Sequence, residues 1–160
     1  SAVIAGMGGN LVIRILEEGH DVVSCLKECI LQPQSEPDKV RAFLLQEGFF
    51  FIEEDMVEED GKYYPMFRCV PCADNSAWDN MDETTVTVCD LYGPVLIKNG
   101  NPVLRKFLVR EHHKLAAIMQ QLRTQEMSDS IMDRIEQINE MMAYNEAAYS
   151  TMGAIRNAGI

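Results

Sequence analysis

The chain has 160 residues, 47% of them hydrophobic, with 25 acidic against 14 basic side chains and a formal net charge of −11. That is enough apolar material for one α/β core, or for part of a core with an appendage. No stretch nears the roughly eighteen consecutive apolar residues of a membrane span, and the apolar run 1–7 lacks the basic region that opens a signal peptide.

Residues 1–5 form a small, apolar, β-branched run that meets Gly6, Met7, Gly8 and Gly9. The helical pattern Leu11, Val12, Ile15, Leu16 follows and ends at Gly19. This predicts a strand, a tight glycine turn and a helix. A nearly all-apolar strand is usually buried on both faces of a parallel sheet, so further strands are expected ahead of it.

Residues 29–31 give a second strand that ends at Gln32 and Pro33. Ser35 is placed to cap the next helix, with Asp38 three residues on, and Val40, Phe43 and Leu44 supply the buried face up to Gly48. Residues 49–55 and 62–70 read as a hairpin closed at Asp60 and Gly61, with 53–60 as a solvated acidic turn. The order β-α-β-α-β-β matches the second half of a doubly wound sheet whose last pair is antiparallel. Residues 71–83 are polar and irregular, and 84–90 alternate in the manner of a strand. Gly93 and Pro94 then break the chain.

Asn101 and Pro102 open a long helix as cap and first-turn proline. Leu104, Leu108, Leu115, Met119 and Leu122 share one face of it. A second helix starts near Ser128 or Ser130. Its seam of Ile131, Ile135, Ile138, Met142, Asn145, Tyr149 and Met152 is spaced alternately four and three. With a short connection the two helices are expected to form an antiparallel coiled-coil hairpin, in which Asn145 sets the register. The chain divides into a sheet domain, 1–97, and a helical domain, 98–160.

Charge follows this division. Residues 1–97 carry 6 basic and 18 acidic side chains, 98–123 carry 6 and 1, and 124–160 carry 2 and 6. A positive stretch inside an acidic protein sets its own potential within a Debye length of roughly 8 Å, and so can face a polyanion.

Of the residues that could carry chemistry, the glycine turn says most, because a turn without side chains lets backbone approach a ligand at the carboxyl edge of a sheet. It does not fit the dinucleotide fingerprint, since Leu11 stands where the third glycine belongs. A structural tight turn and a binding loop both remain open on pattern alone. Gln32 and Pro33 should sit beside it, and an amide can pair with donor and acceptor edges of a base. Five cysteines, an odd number, indicate reduced thiols in a cytoplasm. Cys69 and Cys72, even with Cys25 and Cys29, lack a supporting histidine and are read as thiols without metal. His112 and His113 belong to the basic helical face. No spacing supports a nucleophile with its base.

The run Ile4-Ala5-Gly6-Met7-Gly8-Gly9, then Ile-Leu-Glu-Glu-Gly at 15–19, Leu31-Gln32-Pro33, Phe43-Leu44, the pattern E-D-x-V-E-E-D-G-K-Y at 54–63, Gly93-Pro94-Val95-Leu96 and Asn101-Pro102 come in one order across 3–122. In that order they resemble the bacterial tRNA (adenine-22-N1)-methyltransferase family. The resemblance implies a Rossmann-like class I methyltransferase sheet followed by a helical, coiled-coil domain. It implies S-adenosylmethionine as cofactor and methyl transfer to N1 of an adenine in tRNA.

It further implies that the chain begins at about the fourth strand of the sheet. Half of the cofactor site is then expected upstream, and this chain alone is expected to be inactive. Gly6, Met7, Gly8 and Gly9 are implied as cofactor contacts, with Asn10, Gln32 and Pro33 beside the acceptor base. Lys98, Arg105, Lys106, Arg110, Lys114 and Arg123 are implied as the tRNA-holding arm. No residue takes the role of general base. Gln34 stands where the family commonly has Asn, and Pro65 where it has Glu.

Two other readings compete. One is a non-catalytic interaction module that forms a homodimer through the helical hairpin. The other is part of a nicotinamide-dependent oxidoreductase, which the antiparallel end of the sheet and the missing fingerprint disfavour.

Overall fold

The computed structural model describes residues 1–71 and 81–157. The elements run β1 (Ala2–Gly8), α1 (Gly9–Glu18), α2 (His20–Val23), β2 (Cys29–Ser35), α3 (Pro37–Gln46), β3 (Phe49–Glu59) and β4 (Lys62–Pro71). After them come α4 (Glu83–Tyr92), α5 (Pro94–Lys98), α6 (Pro102–Arg123) and α7 (Asp129–Asn157). One sheet has the order β1-β2-β4-β3, in which β1 and β2 are parallel and the other two pairs antiparallel. This is the α/β arrangement expected from the element order.

Period two governs the strands. In β2, Cys29, Leu31 and Pro33 are buried while Ile30 is exposed, as a half-covered sheet requires. Val12 and Leu16 of α1 and Val40 and Leu44 of α3 close over Cys29, Leu31, Phe49, Phe51, Phe67 and Cys69 to form the first core. Val3, Ile30, Phe50 and Ile52 are exposed.

The hairpin turn carries positive φ at Asp60 and Gly61, the two-residue geometry that suits the twist of its strands. In β3 the register slips between Phe51 and Glu53. Continued alternation from Phe49 and Phe51 would turn Glu53 inward, but the extra residue turns Glu54 and Met56 inward instead. The acidic run 53–60 is therefore not a solvated turn: most of it is strand, and Glu54 is buried.

The second core joins Met56 to Val88, Tyr92, Leu96, Ile97, Leu104, Leu108, Ala148 and Met152, and so draws on both sides of the 97/98 division. A third cluster, Leu115, Met119, Leu122 and Ile138, fills the outer part of the helical hairpin. Asn101 caps α6 by accepting from Val103 and Leu104 N–H at 2.9 and 3.0 Å. All five apolar residues assigned to the inner face of α6 are buried.

Three local expectations are overturned. Residues 84–90 are helical, because Asp82 caps the segment by accepting from Thr85 N–H at 3.0 Å, and Val88 and Tyr92, four apart, bury its face. Ser35 does not cap α3. Its hydroxyl accepts from Gly9 N–H at 3.4 Å, while α3 starts on Pro37 behind Glu36 with no side-chain cap. In the seam of α7 the buried residue after Asn145 is Ala148, whereas Tyr149 is 41% exposed, because α7 turns a small side chain towards the second core there. Cys72 and most of the irregular stretch 71–83 lie outside the described residues.

Candidate cofactor turn and nucleic-acid interface

The carboxyl ends of β1 and β2 lie side by side, with Ala5 opposite Gln32, Met7 opposite Pro33 and Gly8 opposite Ser35. The register breaks around Gly6, whose φ of 74° suits glycine and few other residues. Gly6 N–H donates to Gln32 Oε1 at 3.1 Å, and Gln32 Nε2 to its neighbour's Pro33 O at 3.4 Å. The Gln32 amide thus holds the turn in shape. A Cβ on Gly6 would find only Gln34 Nε2, at 4.0 Å, so this side of the turn is open.

Gly9 differs: a Cβ there would come within 2.6 Å of Ser35 O and 2.8 Å of Glu36 O. Its glycine is explained by the close approach of α1 to the end of β2. Met7 is 38% exposed, and Asn10 is exposed on the first turn of α1. Residues 6–10 contribute backbone groups, one thioether and one amide, without a charge. That donor set suits an uncharged part of a cofactor and an incoming base, and has no carboxylate for ribose hydroxyls.

The predicted basic arm is divided. Lys98 is exposed at the end of α5, and the Arg105 guanidinium stacks 5.0 Å from the ring centre of Tyr149 on α7. Lys106 pairs with Glu58 at 3.6 Å. Arg110 donates to Gly61 O at 2.6 Å and lies 5.7 Å from the centre of the Tyr63 ring. Lys106, Arg110 and Lys114, spaced four apart, share the face of α6 that meets the hairpin. Lys114 is exposed there.

Beneath this face a polar network ties the helices together. Tyr92 Oη donates to Glu111 Oε2 at 2.7 Å, and Asn145 Nδ2 reaches the same oxygen at 2.9 Å and Leu108 O at 3.0 Å. Burial, then the Glu111 carboxylate, pushes the Tyr92 phenol well above its ordinary range. Cys69 Sγ donates to Cys29 O at 3.7 Å, and its pairing with Cys29 together with burial pushes its thiol up. These are core thiols. Among the described residues no group of three or more His, Cys, Asp or Glu side chains could hold a metal, and no helix is long and apolar enough to cross a membrane.

A family model described as tRNA (adenine(22)-N(1))-methyltransferase, TrmK, matches residues 1–146. The chain belongs to the TrmK family. A tRNA (adenine(22)-N(1))-methyltransferase of Bacillus subtilis (strain 168) is 30% identical over 146 residues, which cover 87% of this chain and 60% of that protein. The crystal structure of the B. subtilis m1A22 tRNA methyltransferase TrmK superposes with a TM-score of 0.78 at 29% identity, over 92% of this chain and 62% of that one. A Streptococcus pneumoniae protein solved in complex with S-adenosyl-L-methionine gives a TM-score of 0.62 at 30% identity, over 89% of this chain and 60% of its own. This TrmK-family chain therefore spans about 60% of the length of the curated relative it matches.

Sequence reasoning missed Arg41, Glu54 and Lys62. Sequence alone gives Arg41 no role and places Glu54 within a solvated acidic turn, and only the bulge in β3 reveals their pairing. Lys62 lies in a strand, outside the basic stretch of α6.

Proposed function

We propose that the chain forms part of a cytoplasmic, S-adenosylmethionine-dependent enzyme that methylates N1 of an adenine in tRNA. The observation that carries this reading is the open glycine turn of β1 held against Gln32 at the carboxyl edge of a parallel strand pair, in a chain of the TrmK family. Ligands of open α/β sheets bind at that edge. Gly6, Met7 and Gly8 would border the cofactor, with Gly9 setting the turn by packing. Asn10, Gln32 and Pro33 would border the acceptor base. Lys98, Arg105, Lys106, Arg110 and Lys114 would hold the tRNA.

Bound S-adenosylmethionine supplies a methyl group on a positively charged sulfur. Adenine N1 has a free lone pair once it is unpaired, so no protein base is needed before attack. The residues here need only position the exposed base and exclude water, which fits a turn without a titratable group.

A ribose-binding carboxylate is missing from residues 6–10, and β1 is an edge strand with Val3 69% exposed. Both support a cofactor site completed by strands that pair with the free edge of β1, so that this chain alone does not turn over. The homodimer reading has less support, since Leu108, Leu115, Met119 and Leu122 are already buried within the chain.

The test is a calorimetric titration of S-adenosylhomocysteine into this chain and into a version extended upstream in its reading frame. Binding only to the extended form, together with methyl incorporation into tRNA, is the expected result. Binding to neither form would sink the proposal.

A further inference from the structure

Two depressions run into each other between the β3–β4 hairpin and α6. The inner one, about 210 Å³, starts at Pro33 and Gln34 and is walled by Tyr63, Tyr92 and Phe107. The outer one, about 450 Å³, shares Gln34, Tyr63 and Phe107 with it and opens between Lys62, Arg110 and Lys114. Gln34 also lies against Gly6. Gln34, which borders both depressions, is thus the link between the glycine turn and an aromatic-walled hollow that opens onto three cations contributed by two different elements.

The cations differ in what they already hold. Lys106 already pairs with Glu58 at 3.6 Å. Arg110 is fixed by Gly61 O and the Tyr63 ring, which leaves most of its five N–H donors aimed elsewhere. Lys62 and Lys114 are exposed, and neither ammonium group has an ion-pair or hydrogen-bond partner among the described residues. Glu111, the carboxylate in the lining, is drawn towards Tyr92 and Asn145. The outer depression thus combines one preorganised guanidinium with two ammonium groups that hold no close ion pair, although Glu59 stands opposite Lys62 in the hairpin. This is a donor set for phosphodiester oxygens.

We propose that this groove holds the sugar-phosphate backbone of the RNA strand next to the acceptor adenine, with Lys62 of the hairpin as a contact alongside Arg110 and Lys114. The proposal rests on the tRNA methyltransferase reading. An adenine attacked at N1 must leave its pair and stack, and the strand on one side of it then needs support close to the pocket. The groove begins at Gln34, beside the turn, and its charge is complementary to that strand. Recognition by phosphate contacts sets register without reading sequence.

The experiment uses the full-length protein and an unmodified tRNA transcript, with binding measured across a range of salt concentrations and methyl transfer at one. Lys62→Ala with Lys114→Ala should weaken tRNA binding by roughly tenfold and lower the slope of log affinity against log salt by about 1.4, the share of two single-strand phosphates. KM for tRNA should rise with kcat unchanged, the sign of binding lost equally in ground and transition states. Lys27→Ala, an exposed charge in the loop before β2, should leave all three as they are.

An unchanged slope in the double variant would overturn the groove, as would an equal loss in Lys27→Ala, which would mean net charge alone matters. Failure of the unaltered protein to bind or methylate tRNA would instead remove the reading beneath it.

Discussion

Arg41 Nε donates to Glu54 Oε1 at 2.9 Å, with the two side chains 1% and 0% exposed, and each partner also holds one end of the bend between α4 and α5. Arg41 Nη1 donates to Asp90 O at 2.8 Å, at the carboxyl end of α4. Glu54 Oε2 accepts from Val95 N–H at 2.8 Å and Leu96 N–H at 3.3 Å, at the start of α5. A cation at a helix carboxyl end and an anion at an amino end both oppose the local partial charge and satisfy orphan backbone groups. The pair thereby fastens the helical part of the protein to α3 and β3.

Removing one partner should therefore cost more than an ordinary core substitution. Arg41→Ala or Glu54→Ala is expected to lower unfolding stability by about 3–5 kcal/mol, since the remaining charge is left buried. Urea unfolding of each variant checks this. A loss below about 1 kcal/mol would show the pair to be dispensable.

Gly93 sits between these groups at φ 89°. A Cβ there would lie 2.7 Å from both Glu54 carboxylate oxygens and 3.0 Å from Arg41 Nη2. Gly93→Ala should cost about 2 kcal/mol or more through backbone strain and displacement of the pair. In the Glu54→Ala background the steric part should shrink, so the two losses should not add; additive losses in the double variant would refute the contact.

Asn145 is the polar residue of the helical seam, 2% exposed, and bridges Leu108 O and Glu111. Asn145→Leu should leave the Glu111 carboxylate short of a donor and destabilise the protein by about 1–3 kcal/mol. Thermal melting reads the loss. A melting point equal to or above that of the unaltered chain would show apolar packing to be the better choice there.

Burial pushes the Asp90 carboxyl up to about 6, against the downward pull of Arg41, with Asp38 adding to the rise. Its Oδ1 is buried without a hydrogen-bond partner among the described residues. The folded pKa lies above the unfolded value of about 3.9, so ionisation is penalised in the folded state. The stability this group permits is fully present below about pH 4 and is lost as pH rises through about 6. Asp90→Asn should raise the urea midpoint at pH 7 and change it little at pH 3.5. Equal effects at the two pH values would rule out ionisation as the cause.

Elements whose signal lies within a few residues were legible. The Asn101–Pro102 start of α6 and the Asp60–Gly61 turn each depend on contacts between near neighbours in the chain, and each stands where it was expected. The glycines expected as a turn after the strand instead form its bulged end, within β1 up to Gly8, and are held by Gln32, Ser35 and Glu36 from across the sheet. The alternation in 84–90 misled, because Asp82 decides for a helix and the buried face is set by Val88 and Tyr92 packing on distant helices. Ser35 looked like a cap because Ser and a following acidic residue fit that pattern. Its hydroxyl in fact serves Gly9, 26 residues away.

The site divides in the same way. The sequence by itself determined the strands up to β4, the two long helices, the family resemblance and the glycine-rich end of β1, because hydrophobic period, caps and glycine positions are local properties of the chain. Only the tertiary structure decided that Gln32 spends its amide oxygen on Gly6, that Glu54 faces Arg41 and that Lys62 joins Arg110 and Lys114 around one groove. The reason is physical. One extra residue in β3 reverses which side chains face inward, and a groove between a hairpin and a helix exists only once both have packed on the same core.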